Sequence, residues 1–100
     1  MPARREIEVE ATPEEVWEAI STEEGRERWL DEPEREIRVE SEDPPNRLVW
    51  WWWEGDEEPS RVEILVTPAP DGARVVVTES RPAVPMARLA AALTPALAPV

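Results

Sequence analysis

The side chains of this chain that are able to do chemistry are carboxylates, guanidiniums and hydroxyls. Twenty-three residues are Asp or Glu, eleven are basic, and His, Cys, Lys and Tyr are absent, so every basic residue is Arg. Acid–base catalysis is thereby confined to carboxylates, and a Ser or Thr nucleophile has no partner base. A carboxylate pair acting as acid and base needs one member raised by burial. The glutamates fall mostly at alternating outer positions, such as Glu6, Glu8 and Glu10, where a solvated strand face is expected. The pattern places no glutamate convincingly in an apolar setting. Zinc calls for His or Cys, and no calcium-loop spacing is present. Gly25, Gly55 and Gly72 are scattered, so no phosphate-cradling loop is expected. The chain reads as non-enzymatic, without cofactor or metal.

Composition narrows the partners. One hundred residues, 41% hydrophobic and 34% charged, suit one globular domain with a single modest core, in spite of 12 prolines. A net charge of −12 argues against nucleic acid and against anionic membrane surfaces, which require a cationic footprint. No apolar run follows Met1-Pro2-Ala3-Arg4-Arg5-Glu6, so no secretory signal is expected and the cytoplasm is the default location. Residues 82–100 are apolar but carry Arg88 and four prolines, which excludes a transmembrane span. The narrow alphabet, also lacking Gln and Phe, fits GC-rich codons, heat adaptation or design equally well.

The elements are organised around Leu48-Val49-Trp50-Trp51-Trp52-Trp53, which holds four of the six tryptophans. Successive side chains of a strand point to opposite faces. Leu48, Trp50 and Trp52 therefore share one face, and Val49, Trp51 and Trp53 the other. Before this run, Arg5–Ala11 alternates as a half-buried strand. Thr12-Pro13-Glu14-Glu15 has the form of a capping box opening a helix with Val16, Trp17 and Ile20 inward, Trp17 as a core anchor. A second short helix starts at Ser21-Thr22 and turns Trp29 and Leu30 inward, until Asp31-Glu32-Pro33 breaks it. Arg35–Glu40 alternates again. After the tryptophan strand come a polar loop, a strand with Val62, Ile64 and Val66 inside, the turn Pro70-Asp71-Gly72, and a strand with Val75 and Val77 inside. Met86, Leu89, Ala90 and Leu93 then form one stripe on a last helix, ended or kinked at Pro95. Short connections make successive strands antiparallel neighbours, and the last helix must bury its stripe on the sheet. The expected fold class is α+β: a curved antiparallel sheet of about five strands gripping the C-terminal helix, in one domain over 1–100.

Several stretches resemble the START/SRPBCC (Bet v 1-like) helix-grip superfamily, most of all its small bacterial domains related to the activator of heat-shock-protein ATPase. They are Arg5-Glu6-Ile7-Glu8-Val9, running into Ala11-Thr12-Pro13-Glu14-Glu15-Val16-Trp17-Glu18-Ala19-Ile20, and then Arg28-Trp29-Leu30. Asp43-Pro44-Pro45-Asn46-Arg47-Leu48-Val49-Trp50, Ser60-Arg61-Val62-Glu63 and Thr78-Glu79-Ser80 follow in family order. Two departures stand out. Only Asp31–Glu34 occupy the place of the family's additional Gly-rich hairpin, and the closing helix spans ten residues, Pro85–Thr94, or about 15 Å. The roof over a family-type cavity is accordingly short.

The resemblance implies a non-catalytic domain binding an apolar small molecule between the sheet and the last helix. Trp17, Trp50, Trp52, Ile64, Val66, Met86 and Leu89 would line that pocket; the competing reading makes Trp50 and Trp52 core filling. Arg47 and Arg61 are expected to pair with surface carboxylates. On the outer face Val49, Trp51, Trp53, Leu65 and Val76 would form an apolar patch, and two aromatics with their neighbours approach the few hundred Å² that monomers seldom expose. This patch points to a protein-interaction module, either a homodimer beside the uncovered Arg35–Glu40 edge or, as the resemblance implies, a co-chaperone-like contact with a basic protein partner.

Overall fold

The computed structural model describes residues 2–30 and 34–93. Its elements are β1 (Ala3–Val9), α1 (Pro13–Ser21), α2 (Glu23–Glu27), β2 (Arg35–Asp43), β3 (Arg47–Glu54), β4 (Ser60–Ala69), β5 (Gly72–Glu79) and α3 (Met86–Leu93). The five strands form one antiparallel sheet in the order β1-β5-β4-β3-β2; short hairpins make β2, β3, β4 and β5 successive neighbours, and β1 joins from far along the chain beside β5. The expected helix break at Asp31-Glu32-Pro33 and the Pro95 stop lie outside the described residues, as does Thr94.

The local chemistry of the first helix matches its sequence. Thr12 Oγ1 accepts from the Glu15 amide, and Glu15 returns the bond to the Thr12 amide, closing the capping box ahead of Pro13. Thr22 caps α2 by accepting from the Gly25 amide. Gly25 is required where α2 folds back on α1: a Cβ there would stand 2.3 Å from the Glu18 carbonyl oxygen and 2.8 Å from Ala19 Cα. α2 stops at Glu27, so Trp29 lies in the turn beyond it rather than on a helix face as expected. It is buried all the same, because its indole N–H donates to the Ala19 carbonyl at 2.8 Å and ties the turn to α1. Trp17 packs at the margin of the core; Val16, Ala19 and Ile20 are the buried face of α1.

Helices α1 and α3 cover the concave face of the sheet, α1 over β4 and β5 and α3 over β1, while α2 packs on α1. The register sets the rows beneath them. Leu48 stands beside Ile64, which stands beside Val77 and then Arg5; Trp50 stands beside Val62, then Glu79 and Ala3; Trp52 stands beside Ser60. β2 differs from the simple alternation expected, since it runs on to Asp43 through a bulge between Val39 and Ser41. The extra residue is Glu40, which leaves Val39 opposite Trp50 and Ser41 opposite Val49. A bulge of this kind bends a strand and raises its twist, which suits the last strand of a curved sheet.

Candidate functional sites on the two faces of the sheet

The concave face gathers all seven residues expected to line a pocket. Trp50, Trp52, Ile64, Val66 and Leu89 are fully buried in one core cluster, with Trp17 and Met86 packed against it. Trp50 and Trp52 meet edge to face with ring centroids 5.7 Å apart, a favoured aromatic geometry. Arg35 stacks over the Trp52 ring at 4.5 Å and pairs with Glu57 at 3.2 Å, closing the core at the start of β2.

Polar groups also collect on this face, and the alternation pattern missed them. Glu79 faces inward between Val62 and Ala3 and is 1% exposed. Its Oε1 accepts from the Ala83 amide at 2.8 Å and the Val84 amide at 2.7 Å, while Oε2 pairs with Arg5, whose guanidinium also donates to the Val84 carbonyl at 2.9 Å. A carboxylate is thus buried in an apolar setting, contrary to the expectation that none would be. The signal was available: Glu79 is in phase with the inward Val75 and Val77, and Arg5 with Ile7 and Val9. This carboxylate locks β1, β5 and the loop leading to α3 together, with both of its oxygens engaged.

Four buried donors on the same face have no acceptor among the described residues: the indole N–H groups of Trp50 and Trp52, the Ser60 hydroxyl and Arg5 Nε. Buried polar groups in folded proteins nearly always find partners, so a cluster of four requires an explanation. Beside Ser60 the surface opens into a recess of about 210 Å³ lined by Arg35, Glu57, Ser60, Arg81, Pro82 and Ala83.

The convex face carries Val49, Trp51, Trp53, Leu65 and Val76, but does not lay them side by side. Leu65 stands beside Val76, whereas Val49 stands beside Glu63 and Trp51 beside Arg61. The Arg47–Glu63 ion pair, at 2.7 Å, and the Arg61–Glu40 pair, at 3.1 Å, run between the two apolar groups. Val49 is 0% exposed and has no surface to offer. Trp51 and Trp53 remain half-exposed and, with Arg38, Val39, Glu40, Glu58 and Pro59, line an open groove of about 560 Å³ along β2. Val39, at 41%, is the exposed large hydrophobic residue of the described chain.

Glu40 organises this groove. It accepts from Arg61 Nη2 at 3.1 Å and from the Trp51 indole N–H at 2.8 Å. These two bonds, Arg61's first and Trp51's second, hold the Glu40 carboxyl below its ordinary value. A carboxyl depressed on folding contributes above its unfolded value, near 4.3, and the contribution is lost as pH falls through the folded value. The Trp51 indole N–H resonance is therefore expected to hold its shift from neutral pH down through the ordinary carboxylate range and move only below it. In Glu40→Gln that acid transition should vanish, as a heteronuclear NMR titration would show.

No cluster of three or more potential metal ligands occurs among the described residues. None of the described helices is long and apolar enough to cross a membrane.

A strand, two helices, four strands and a helix laid across the concave side define the helix-grip class of α+β domains, and this is the fold of the chain. Solved structures share it. A protein from Mesorhizobium loti matches with a TM-score of 0.69 at 19% identity, over 88% of this chain and 83% of its own. A protein from Chromobacterium violaceum matches with a TM-score of 0.69 at 16% identity, over 92% and 96%. The solution structure of the Aha1 dimer from Colwellia psychrerythraea matches with a TM-score of 0.69 at 15% identity, over 91% and 86%. At such identities the likeness establishes the fold alone. No protein-family model matches the sequence, and no curated protein matches it.

Proposed function

We propose that this domain binds a small, largely apolar molecule bearing hydrogen-bond acceptors, between the concave face and α3. Trp17, Trp50, Trp52, Ile64, Val66, Met86 and Leu89 form its apolar surroundings, and binding rather than catalysis is the function. The observation that carries the reading is the set of unanswered donors on Trp50, Trp52, Ser60 and Arg5. An unmet buried donor costs about 1–3 kcal/mol, and a ligand acceptor would recover that. The core is continuous around the two indoles, so entry requires the recess beside Ser60 to widen, as in a site formed by shifting a population of conformers. The proposed compartment is the cytoplasm.

Tryptophan emission titrated with fatty acids and apolar dyes tests this. We expect a saturable change that Trp52→Ala abolishes. Trp52→Phe and Ser60→Ala each delete one donor with little loss of packing, and should keep the fold while weakening binding about tenfold, as loss of a buried hydrogen bond would. A flat response across a chemically broad panel would leave a filled core and defeat the proposal.

A second reading is self-association or protein docking through the Trp51/Trp53 groove. It is favoured by the apolar lining of that groove beside β2, the last strand of the sheet among the described residues, and by the dimeric state of the Colwellia psychrerythraea structure. A basic protein partner would be steered by the −12 charge and lost as salt is raised.

A further inference from the structure

We infer that the recess beside Ser60 holds the carboxylate of an apolar monocarboxylic acid, whose chain enters the concave face beside Trp52. The inference rests on the small-molecule reading above and adds the head group and its place.

Separate segments of the chain build the recess. Ser60 opens β4 and stands directly across from Trp52. Arg81, Pro82 and Ala83 come from the loop between β5 and α3, and Arg35 and Glu57 complete the lining. One wall is fixed, because Glu79 accepts from the Ala83 amide. Ser60 is only 3% exposed, and its hydroxyl has no partner among the described residues. The indole N–H of Trp52, its cross-strand neighbour, is likewise unanswered. Arg81 donates to the Glu58 carbonyl in the loop between β3 and β4, and among the described residues no carboxylate pairs with it. Its guanidinium carries five N–H donors in a planar fork.

The chemistry of these groups selects the occupant. The Ser60 hydroxyl, the Trp52 indole and the Arg81 guanidinium can all donate, so the occupant presents acceptors. Arg35 is already engaged with Glu57 and with the Trp52 ring, so the charge facing a ligand is that of Arg81. One positive charge calls for a monoanion, and a guanidinium fork matches a planar carboxylate with two parallel bonds. A phosphate monoester, at about −1.5 to −2, would leave charge uncompensated beside Glu57. Size then places the rest of the ligand. Pockets that enclose a whole ligand measure about 300–1,000 Å³, whereas this recess holds about 210 Å³. It takes the head, and the tail lies elsewhere. Trp52 stands beside Ser60 and meets Trp50 edge to face, so a tail directed there reaches the apolar core. The −12 charge of the chain repels anions at long range, but at physiological salt that field is screened beyond about 8 Å, while Arg81 acts at contact.

Titration of the full chain with octanoate and with 1-octanol, at neutral pH in physiological salt, tests this through tryptophan emission and the indole N–H resonances. Octanoate should bind about tenfold more tightly than octanol, as one charge-assisted hydrogen-bonded contact would give, and should shift the Trp52 indole resonance. Arg81→Gln should erase that preference, and Arg81→Lys should restore part of it, since an ammonium keeps the charge without the fork. Glu57→Gln removes the carboxylate that opposes the ligand and should tighten octanoate severalfold, a gain that general loss of structure would not produce. Arg81 and Glu57 are both exposed, and circular dichroism checks that each variant folds. Octanol bound as tightly as octanoate, or a preference that survives Arg81→Gln, overturns the carboxylate site and leaves apolar binding standing. No response to octanoate overturns the carboxylate site whatever other apolar ligands do, and no response to any of them overturns the binding reading as well.

Discussion

Glu79→Ala is expected to cost about 3–5 kcal/mol, the range for breaking a buried ion pair. The side chain is fully buried, and its removal strips an acceptor from the Ala83 and Val84 amides and a counter-charge from Arg5. Small domains have only about 5–15 kcal/mol in hand, so the variant should lose a large share of its stability while remaining measurable by unfolding. Glu79→Gln keeps the volume and one acceptor for the loop amides, and should fall between the wild type and Glu79→Ala. Equilibrium urea unfolding reads all three. A loss below about 1 kcal/mol in Glu79→Ala, the size of a surface ion pair, would show that the clamp does not hold the β5–α3 loop to β1.

The second large effect separates the two faces of the tryptophan strand. Trp50→Ala should destabilise by about 3–5 kcal/mol, because it empties a fully buried site enclosed by Trp52, Val62 and the helices. Trp51→Ala, one residue along, removes a half-exposed ring from the convex groove and should cost about 1 kcal/mol or less. The two changes delete the same atoms from adjacent positions, so denaturation midpoints compared at equal slope isolate burial as the cause. Equal losses would mean that the convex side of β3 is covered by a partner in solution.

Much of the architecture is legible in the order of residues, because it rests on local rules. Alternation in Arg5–Val9, the Thr12–Glu15 capping box, the Pro70-Asp71-Gly72 turn and the stripe Met86–Leu93 each fix an element from its own neighbours. Hairpin-length connections then fix β2, β3, β4 and β5 as successive neighbours, and the sheet follows them, with β1 added beside β5. Reading fails where a residue's place depends on partners far along the chain. Trp29 is held by the Ala19 carbonyl rather than by the helix it seemed to belong to. Glu79 lies inside because Arg5, distant in sequence, and the loop amides solvate it there.

The same division applies to the candidate sites. That Leu48, Trp50 and Trp52 share one face of β3 and Val49, Trp51 and Trp53 the other was determined by the sequence alone, since the pleat of a strand allows nothing else. Only the tertiary structure decided what each face does. Cross-strand register put Arg61 and Glu63 between Trp51 and Leu65 and so divided the outer apolar group. The bulge at Glu40, which no local pattern marks, set the carboxylate that holds Trp51. The unanswered donors of Trp50, Trp52 and Ser60 became visible only with their neighbours in place, because whether a hydrogen bond is met is a property of the surroundings and not of the residue.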